Sequence, residues 1–300
     1  MTYETCTLCP RRCGVDRLHG ARGACHMTSR PVLARAALHH WEEPCISGTA
    51  GSGTVFFSGC PLGCIYCQNH EIADGTHGVP VTLERLTEIF FELRDAGAHN
   101  INLVTPTHFA PTVAEAIRRA RAEGFNLPFV CNTSGYESVE TLRALEGLID
   151  VYLTDLRYAR SATAAAYSHA PDYPTVARAA IAEMVRQTGD ARLDENGLMV
   201  RGTLVRILLL PGQLADAKLS LLHLAKHGRN AVWVSLMQQY TPPAGMPPPL
   251  DRRVTEEEYG ALVRYAETLG FENAYTQERE AASESFIPPF DLTGVRKERI

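Results

Sequence analysis

The chain lacks three features that would have placed it elsewhere. It has no apolar stretch long enough to span a bilayer, and its opening MTYETCTLCPRRC has no apolar signal core. It has no excess of basic charge. With 34 acidic against 29 basic side chains and a formal charge of −5, the electrostatic signature of a dedicated nucleic-acid binder is missing, and only a local basic patch would admit RNA. Past Cys131 it has no cysteine. These absences predict a cytoplasmic protein with neither membrane nor nucleic acid among its partners. Its 300 residues, 45% of them hydrophobic and 21% charged, suffice for a buried core in one large domain or two modest ones.

What the chain does have is nine cysteines, eight of them within residues 6–67. In a reducing compartment that density argues against disulfides and for metal.

Residues 1–50 show little periodicity, but from Gly53 short apolar runs alternate with helical patterns. Strands are predicted at Val55–Phe57, Asn100–Val104, Phe129–Cys131, Ile149–Thr154, Thr203–Leu210 and Val232–Met237, with a short one near Asn273–Tyr275. Helices are predicted at Thr82–Asp95, Pro111–Ala122, Ser138–Leu145, Leu214–His227 and Thr255–Leu269. The first has Leu83, Leu86, Phe90 and Leu93 on one face, and the last opens on a capping box. Ala159–Gln187 reads as helical with a break at Ala170–Pro174, Gly189–Gly197 as a polar loop, and Pro242–Pro249 as an extended loop because its prolines forbid a ladder or helix. Strands alternating with helices imply an α/β fold, and their number fits a partial (β/α)6 barrel of parallel strands. The domain reading is a cysteine-rich metal-binding segment over 1–50, the barrel over 51–276 and a tail over 277–300, loosely packed from Ser283 to Ile300.

Directly after the first predicted strand comes Gly59-Cys60-Pro61-Leu62-Gly63-Cys64-Ile65-Tyr66-Cys67-Gln68-Asn69. Three thiolates on one tight loop can hold three corners of a cubane iron–sulfur cluster and leave one iron open to an exogenous chelate. A structural zinc with a fourth ligand from Asn69-His70, or a buried cysteine cluster, is the plainer alternative.

In its C-x3-C-x2-C spacing and in Tyr66 before the third cysteine, this loop resembles the radical S-adenosylmethionine (SAM) superfamily. That resemblance implies a 4Fe-4S cluster on Cys60, Cys64 and Cys67, with SAM chelating the open iron. It also implies reductive cleavage of SAM to a 5′-deoxyadenosyl radical that abstracts hydrogen, and a reductant such as flavodoxin or ferredoxin.

The other strand ends carry small and polar residues where a βα barrel places its chemistry: Thr105-Pro106-Thr107-His108, Asn132-Thr133-Ser134-Gly135-Tyr136, Asp155-Leu156-Arg157, Arg206 and Gln238-Gln239-Tyr240. The Asn-Thr-Ser-Gly turn, the Asp-Leu-Arg triplet and the strand Val205–Gly212 resemble segments of pyruvate formate-lyase activating enzymes, which install a glycyl radical on a partner enzyme. A poorly characterised activase-like branch is more similar still, through residues 6–275. The resemblance implies cofactor contacts from Tyr66, Asn132, Ser134, Asp155, Arg157 and Arg206. Thr105 takes the place usually held by Gly-Gly-Glu, a departure from the pattern. His108 is a candidate proton donor or substrate contact. The alternatives are a radical enzyme acting on a small molecule or peptide, and a non-catalytic metal-binding or electron-transfer protein.

Cys6, Cys9, Cys13 and Cys25, with glycines at 14, 20 and 23, form a second thiol set. It suits one tetrahedral zinc or rubredoxin-like iron, an auxiliary iron–sulfur cluster, or free thiols. Cys45 is expected to be unpaired, and Cys131 to be a buried strand cysteine.

Overall fold

Each apolar run between the helical patterns becomes a strand of one sheet. The computed structural model describes residues 1–228, 231–277 and 287–297. In chain order the elements begin with β1 (Val32–His39), α1 (Pro44–Ser47), β2 (Ser52–Phe57), α2 (His70–Ala73), β3 (Val79–Pro80), α3 (Leu83–Asp95) and β4 (Ile101–Val104). They continue with α4 (Ala110–Ala122), β5 (Phe129–Thr133), α5 (Val139–Ala144), β6 (Val151–Asp155), α6 (Ser161–Ser168), α7 (Tyr173–Thr188) and β7 (Arg192–Leu193). The last are β8 (Met199–Leu208), α8 (Leu214–His227), β9 (Trp233–Met237), α9 (Glu256–Thr268) and β10 (Ala274–Thr276).

The sheet runs β10-β9-β8-β6-β5-β4-β2-β1-β3, with β7 beside the start of β8. From β2 to β10 the neighbours pair in parallel. β1 runs antiparallel to both β2 and β3. The fold is therefore α/β, a partial barrel, and the short strand near Asn273–Tyr275 forms as a seventh parallel member. Among the described residues no helix is long and apolar enough to cross a membrane.

Alternation along the strands sorts the core into two layers. Phe129 and Cys131 pack outward with Phe90 and Leu103, beside Val113 and Ile117 of α4, so Cys131 is a buried strand cysteine. Val130, Val151, Leu153 and Leu204 face the barrel interior and meet Cys45 and Ile46 of α1. The stretch 41–47 thus plugs the interior. Thr82 caps α3 by accepting from the Arg85 amide, and Thr255 and Glu258 complete the capping box of α9.

Three features depart from expectation. Val32–His39 is a strand, although its alanine-rich sequence carries little β propensity; pairing along β2 over His39↔Ser52 to Leu33↔Phe57 decides it. The loop Gly189–Gly197 contains the two-residue β7, paired with β8. The end of the chain is docked rather than loose over 287–297. Leu292 N donates to Ala34 O, Ala36 N donates to Thr293 O, and Val295 and Phe290 are buried. This covers the free edge of β1. Residues 278–286 and 298–300 of the expected tail lie outside the described residues.

Candidate active site

Gly59 and Gly63 give the loop after β2 its turns, both at positive φ (+83° and +69°). Gly59 is also pressed against the N-terminal segment: a Cβ there would stand 2.5 Å from Cys25 O and from Met27 Cγ. Gly59→Ala is expected to cost about 3 kcal/mol, strain plus overpacking, read as a lowered denaturation midpoint.

The thiols sit among polar partners. Ser168 Oγ donates to Cys64 Sγ at 3.0 Å, Tyr158 OH meets Ser168 Oγ at 2.6 Å, and Tyr66 OH meets Tyr158 OH at 2.7 Å. Burial first, then repulsion from Cys64, pushes the Cys60 thiol up to about 11 and that of Cys67 up to about 12. Gathering three thiolates here therefore needs a cationic partner, which the iron of a cluster supplies. The donor chemistry fits that group. As the side chains stand, no three His, Cys, Asp or Glu groups among the described residues meet at a metal-binding point, so closing on a metal requires side-chain adjustment.

Cys67 forms part of the wall of a cleft at the carboxyl ends of the strands. The cleft is partly open to solvent, and the free space within it, open solvent included, is about 1070 Å³. Tyr66, Asn132, Asp155, Arg157 and Arg206 line it, as do Phe56, Val104, Leu208, Met237 and Tyr240. Register sets the polar group: Asp155 of β6 pairs directly with Arg206 of β8, and Asn132 lies next to Val104 across β4 and β5. Arg206 donates from Nε to Asp155 Oδ1 (2.8 Å), from Nη2 to Asn132 Oδ1 (2.7 Å) and from Nη1 to Glu42 Oε2 (3.3 Å). Arg157 holds the other oxygen, Asp155 Oδ2, at 2.5 Å. All three Arg206 nitrogens are thus committed inside the protein, and its first effect is to fix its neighbours.

Glu42 escaped the sequence reading. Its Oε1 accepts from Asn102 Nδ2 (3.0 Å) and Asn132 Nδ2 (3.1 Å), so one carboxylate touches β4, β5 and, through Arg206, β8. Only a sheet curled around it permits that. Burial pushes Glu42 up against the pull of Arg206, and pushes Glu43 up to about 7. The signal available was Trp41-Glu42-Glu43-Pro44, adjacent carboxylates ahead of a segment with glycines at 48, 51 and 53. Trp41 also lines the cleft, with 60% of its surface exposed.

Thr105 and Ser134 are not on the cleft wall. Thr105 is half-buried at φ +56°, its amide bonded to Asn132 O; the Ser134 carbonyl accepts from Tyr173 OH. His108 is likewise not on the cleft wall: it is fully buried, and its Nε2 lies 3.0 Å from Ser58 O, one residue before Gly59. Burial foremost, then the nearby Arg17 charge, holds its pKa down to about 3. A histidine that folds neutral stabilises fully above its unfolded pKa of about 6.5, and that stability is lost as pH falls from there towards 3. The loss is on the order of 5 kcal/mol. Denaturation midpoints between pH 7 and 4 should fall more steeply for the wild type than for His108→Gln.

In the N-terminal set Cys6, Cys9 and Cys25 are buried and Cys13 is half-buried. A Cβ on Gly23 would stand 3.2 Å from Cys13 Sγ and 3.6 Å from Cys25 Sγ, so glycine leaves the space those sulfurs occupy. Cys45 lies apart, in the barrel plug, where burial pushes its thiol up to about 12.

A parallel strand series with a thiol-bearing loop after its first strand, opening on a polar strand-end cleft, has the layout of a cofactor-dependent barrel enzyme. The Radical SAM superfamily model matches residues 54–225, and the chain belongs to that superfamily. Membership implies a 4Fe-4S cluster, SAM, an electron donor and SAM-cleaving radical chemistry. The chain is similar to an uncharacterized protein of Methanocaldococcus jannaschii, 28% identical over 287 residues, covering 91% of this chain and 77% of that one. Its fold is similar to the crystal structure of a radical SAM methyltransferase from Sphaerobacter thermophilus (TM-score 0.51, 19% identity, 75% of this chain). It spans 66% of that methyltransferase, just under two thirds.

Proposed function

We propose that Cys60, Cys64 and Cys67 ligate the cluster, that SAM binds in the adjoining cleft, and that hydrogen is abstracted from a substrate admitted there. The observation that carries this reading is one of place: Cys67 shares a cleft wall with Asn132, Asp155, Arg157 and Arg206 from three further strand ends. When bound, the cluster supplies the electron that cleaves SAM.

The chain's own residues bind and orient. Asp155, gripped on both oxygens by arginines, keeps free lone pairs and is fixed to accept from ribose hydroxyls. Arg157 sets positive charge beside the thiols and Asp155 together. The hydroxyl chain Tyr66–Tyr158–Ser168 orients a donor onto the Cys64 sulfur, and Phe56, Val104, Leu208 and Met237 keep water from the reacting face. Cys6, Cys9, Cys13 and Cys25 hold a second metal, zinc or iron, and iron and zinc counts on one sample decide which.

The substrate of first choice is a backbone glycine of a partner enzyme, supported by the likeness of Asn132–Gly135, Asp155–Arg157 and Val205–Gly212 to activating-enzyme segments. The test is anaerobic reconstitution with reductant and SAM. Formation of 5′-deoxyadenosine is expected, and its absence from reduced, cluster-loaded protein would defeat the reading. Transfer of deuterium from a Cα-labelled glycyl partner into that product supports the activase form; transfer only from a small molecule or peptide overturns it.

A further inference from the structure

Arg11 stands on the turn between Cys9 and Cys13, yet its guanidinium is spent entirely outside that turn. Nε donates to Pro61 O (2.9 Å) and Nη2 to Leu62 O (3.2 Å), the two residues that follow Cys60. Nη1 donates to His169 O (2.8 Å) and Nη2 also to Ser168 O (3.2 Å) at the end of α6. The guanidinium lies 5.2 Å from the centre of the Tyr136 ring, which holds its orientation.

The two surfaces it joins already touch at the thiols. Ile65 N donates to Tyr167 O at 2.9 Å, and Ser168 Oγ donates to Cys64 Sγ. The end of α6 is therefore the platform on which the cysteine loop rests. Arg11 ties platform and loop together while neutralising carbonyls that the helix terminus leaves without intrahelical donors. Two further contacts run from the same segment. Cys25 O and Met27 press on Gly59, and Arg17 Nη1 donates to His108 O (2.7 Å), whose ring meets Ser58 O. The N-terminal segment thus grips the loop before Cys60, at Gly59 and between Cys60 and Cys64.

We propose that Arg11 is a positioning residue for the cluster loop, and that the N-terminal cysteine turn serves as the clamp that delivers it. The proposal rests on the reading that Cys60, Cys64 and Cys67 ligate the cluster. A planar fork that reaches four carbonyls is a task lysine cannot copy, so the side chain's geometry matters beyond its charge.

The experiment compares wild type, Arg11→Ala, Arg11→Lys and, as a neighbouring control, Arg12→Ala. Hydrogen exchange over residues 59–67 in the protein as isolated reads the clamp without the cluster. Faster exchange in both Arg11 variants and wild-type exchange in Arg12→Ala are expected. In reconstituted protein, a chelator should strip the cluster from Arg11→Ala about tenfold faster, the size of one lost charge-assisted hydrogen bond. The electron paramagnetic resonance of the reduced cluster with SAM should broaden in that variant. Arg11→Lys, which keeps the charge, separates a lost fold from a lost fork. Wild-type exchange in Arg11→Ala overturns the clamp whatever the cluster does. A wild type whose cluster signal ignores SAM defeats the cluster reading and leaves the exchange result to judge Arg11.

Discussion

Cys64→Ser is expected to give a folded protein that makes no 5′-deoxyadenosine, its rate down by more than 100-fold. Cys64 is the middle thiol of the loop and the one that accepts from Ser168. Serine keeps size and polarity, so the loop can retain its bond to the end of α6 while the soft donor is gone. Loss of an outer-shell partner alone costs about 10- to 100-fold in metal affinity or activity, so loss of a ligand should exceed that. Iron content and product formation on one sample check it, with a thermal midpoint within a few degrees of wild type as the folding control. Substantial product from the variant would remove Cys64 from the ligand set.

Arg206→Met is expected to be the most damaging change to stability, about 3–5 kcal/mol. Arg206 is the cation between Asp155 and Glu42, with Glu43 close enough to feel it, and its side chain is only 14% exposed. Methionine fills much of the volume but removes the counter-charge from the buried Glu42 and Glu43 and leaves Asp155 with Arg157 alone, which is costlier than never having buried the pair. The pH dependence has a definite sign. Without Arg206 the folded-state pKa values of Glu42 and Glu43, already raised by burial, rise further above their unfolded values. The deficit relative to wild type is then small below the wild type's folded-state pKa values, about 7 for Glu43, grows as pH rises through them, and levels off above the variant's still higher ones. Denaturation at pH 8 and pH 5 should show a larger deficit at pH 8. Adding Glu42→Gln should recover part of it, and equal deficits at both values would mean that packing, not charge, is the role of Arg206.

The order of βα units was legible because each rests on local pattern: the 3.6-residue periodicity of Leu83–Asp95, the capping box at Thr255, the apolar run Thr203–Leu208. The cysteine loop was legible for the same reason, its spacing being local. Asn132, Asp155, Arg157 and Arg206 could be named because parallel strands bring their carboxyl ends to one rim. Glu42 was not legible, since its partners Asn102, Asn132 and Arg206 lie 60, 90 and 164 residues away. The burial of His108 was not legible for a related reason. Its place on a strand-end loop suggested the cleft, but the tight turn at Thr105 and the short helical turn Thr107–Phe109 bury it under Ser58.

By itself, then, the sequence determined the α/β strand series, the three-thiol loop and most of the strand-end polar groups, since these follow from local spacing and from the rule that parallel strands share a functional rim. Only the tertiary structure decided that β1 and the stretch 287–297 close one edge, that Glu42 rises through the barrel to hold Arg206, and that Arg11 ties the cysteine turn to the loop of Cys60. Each of these depends on backbone carbonyls and charges brought together across long stretches of chain, where a residue's partners are set by burial and not by its neighbours in sequence.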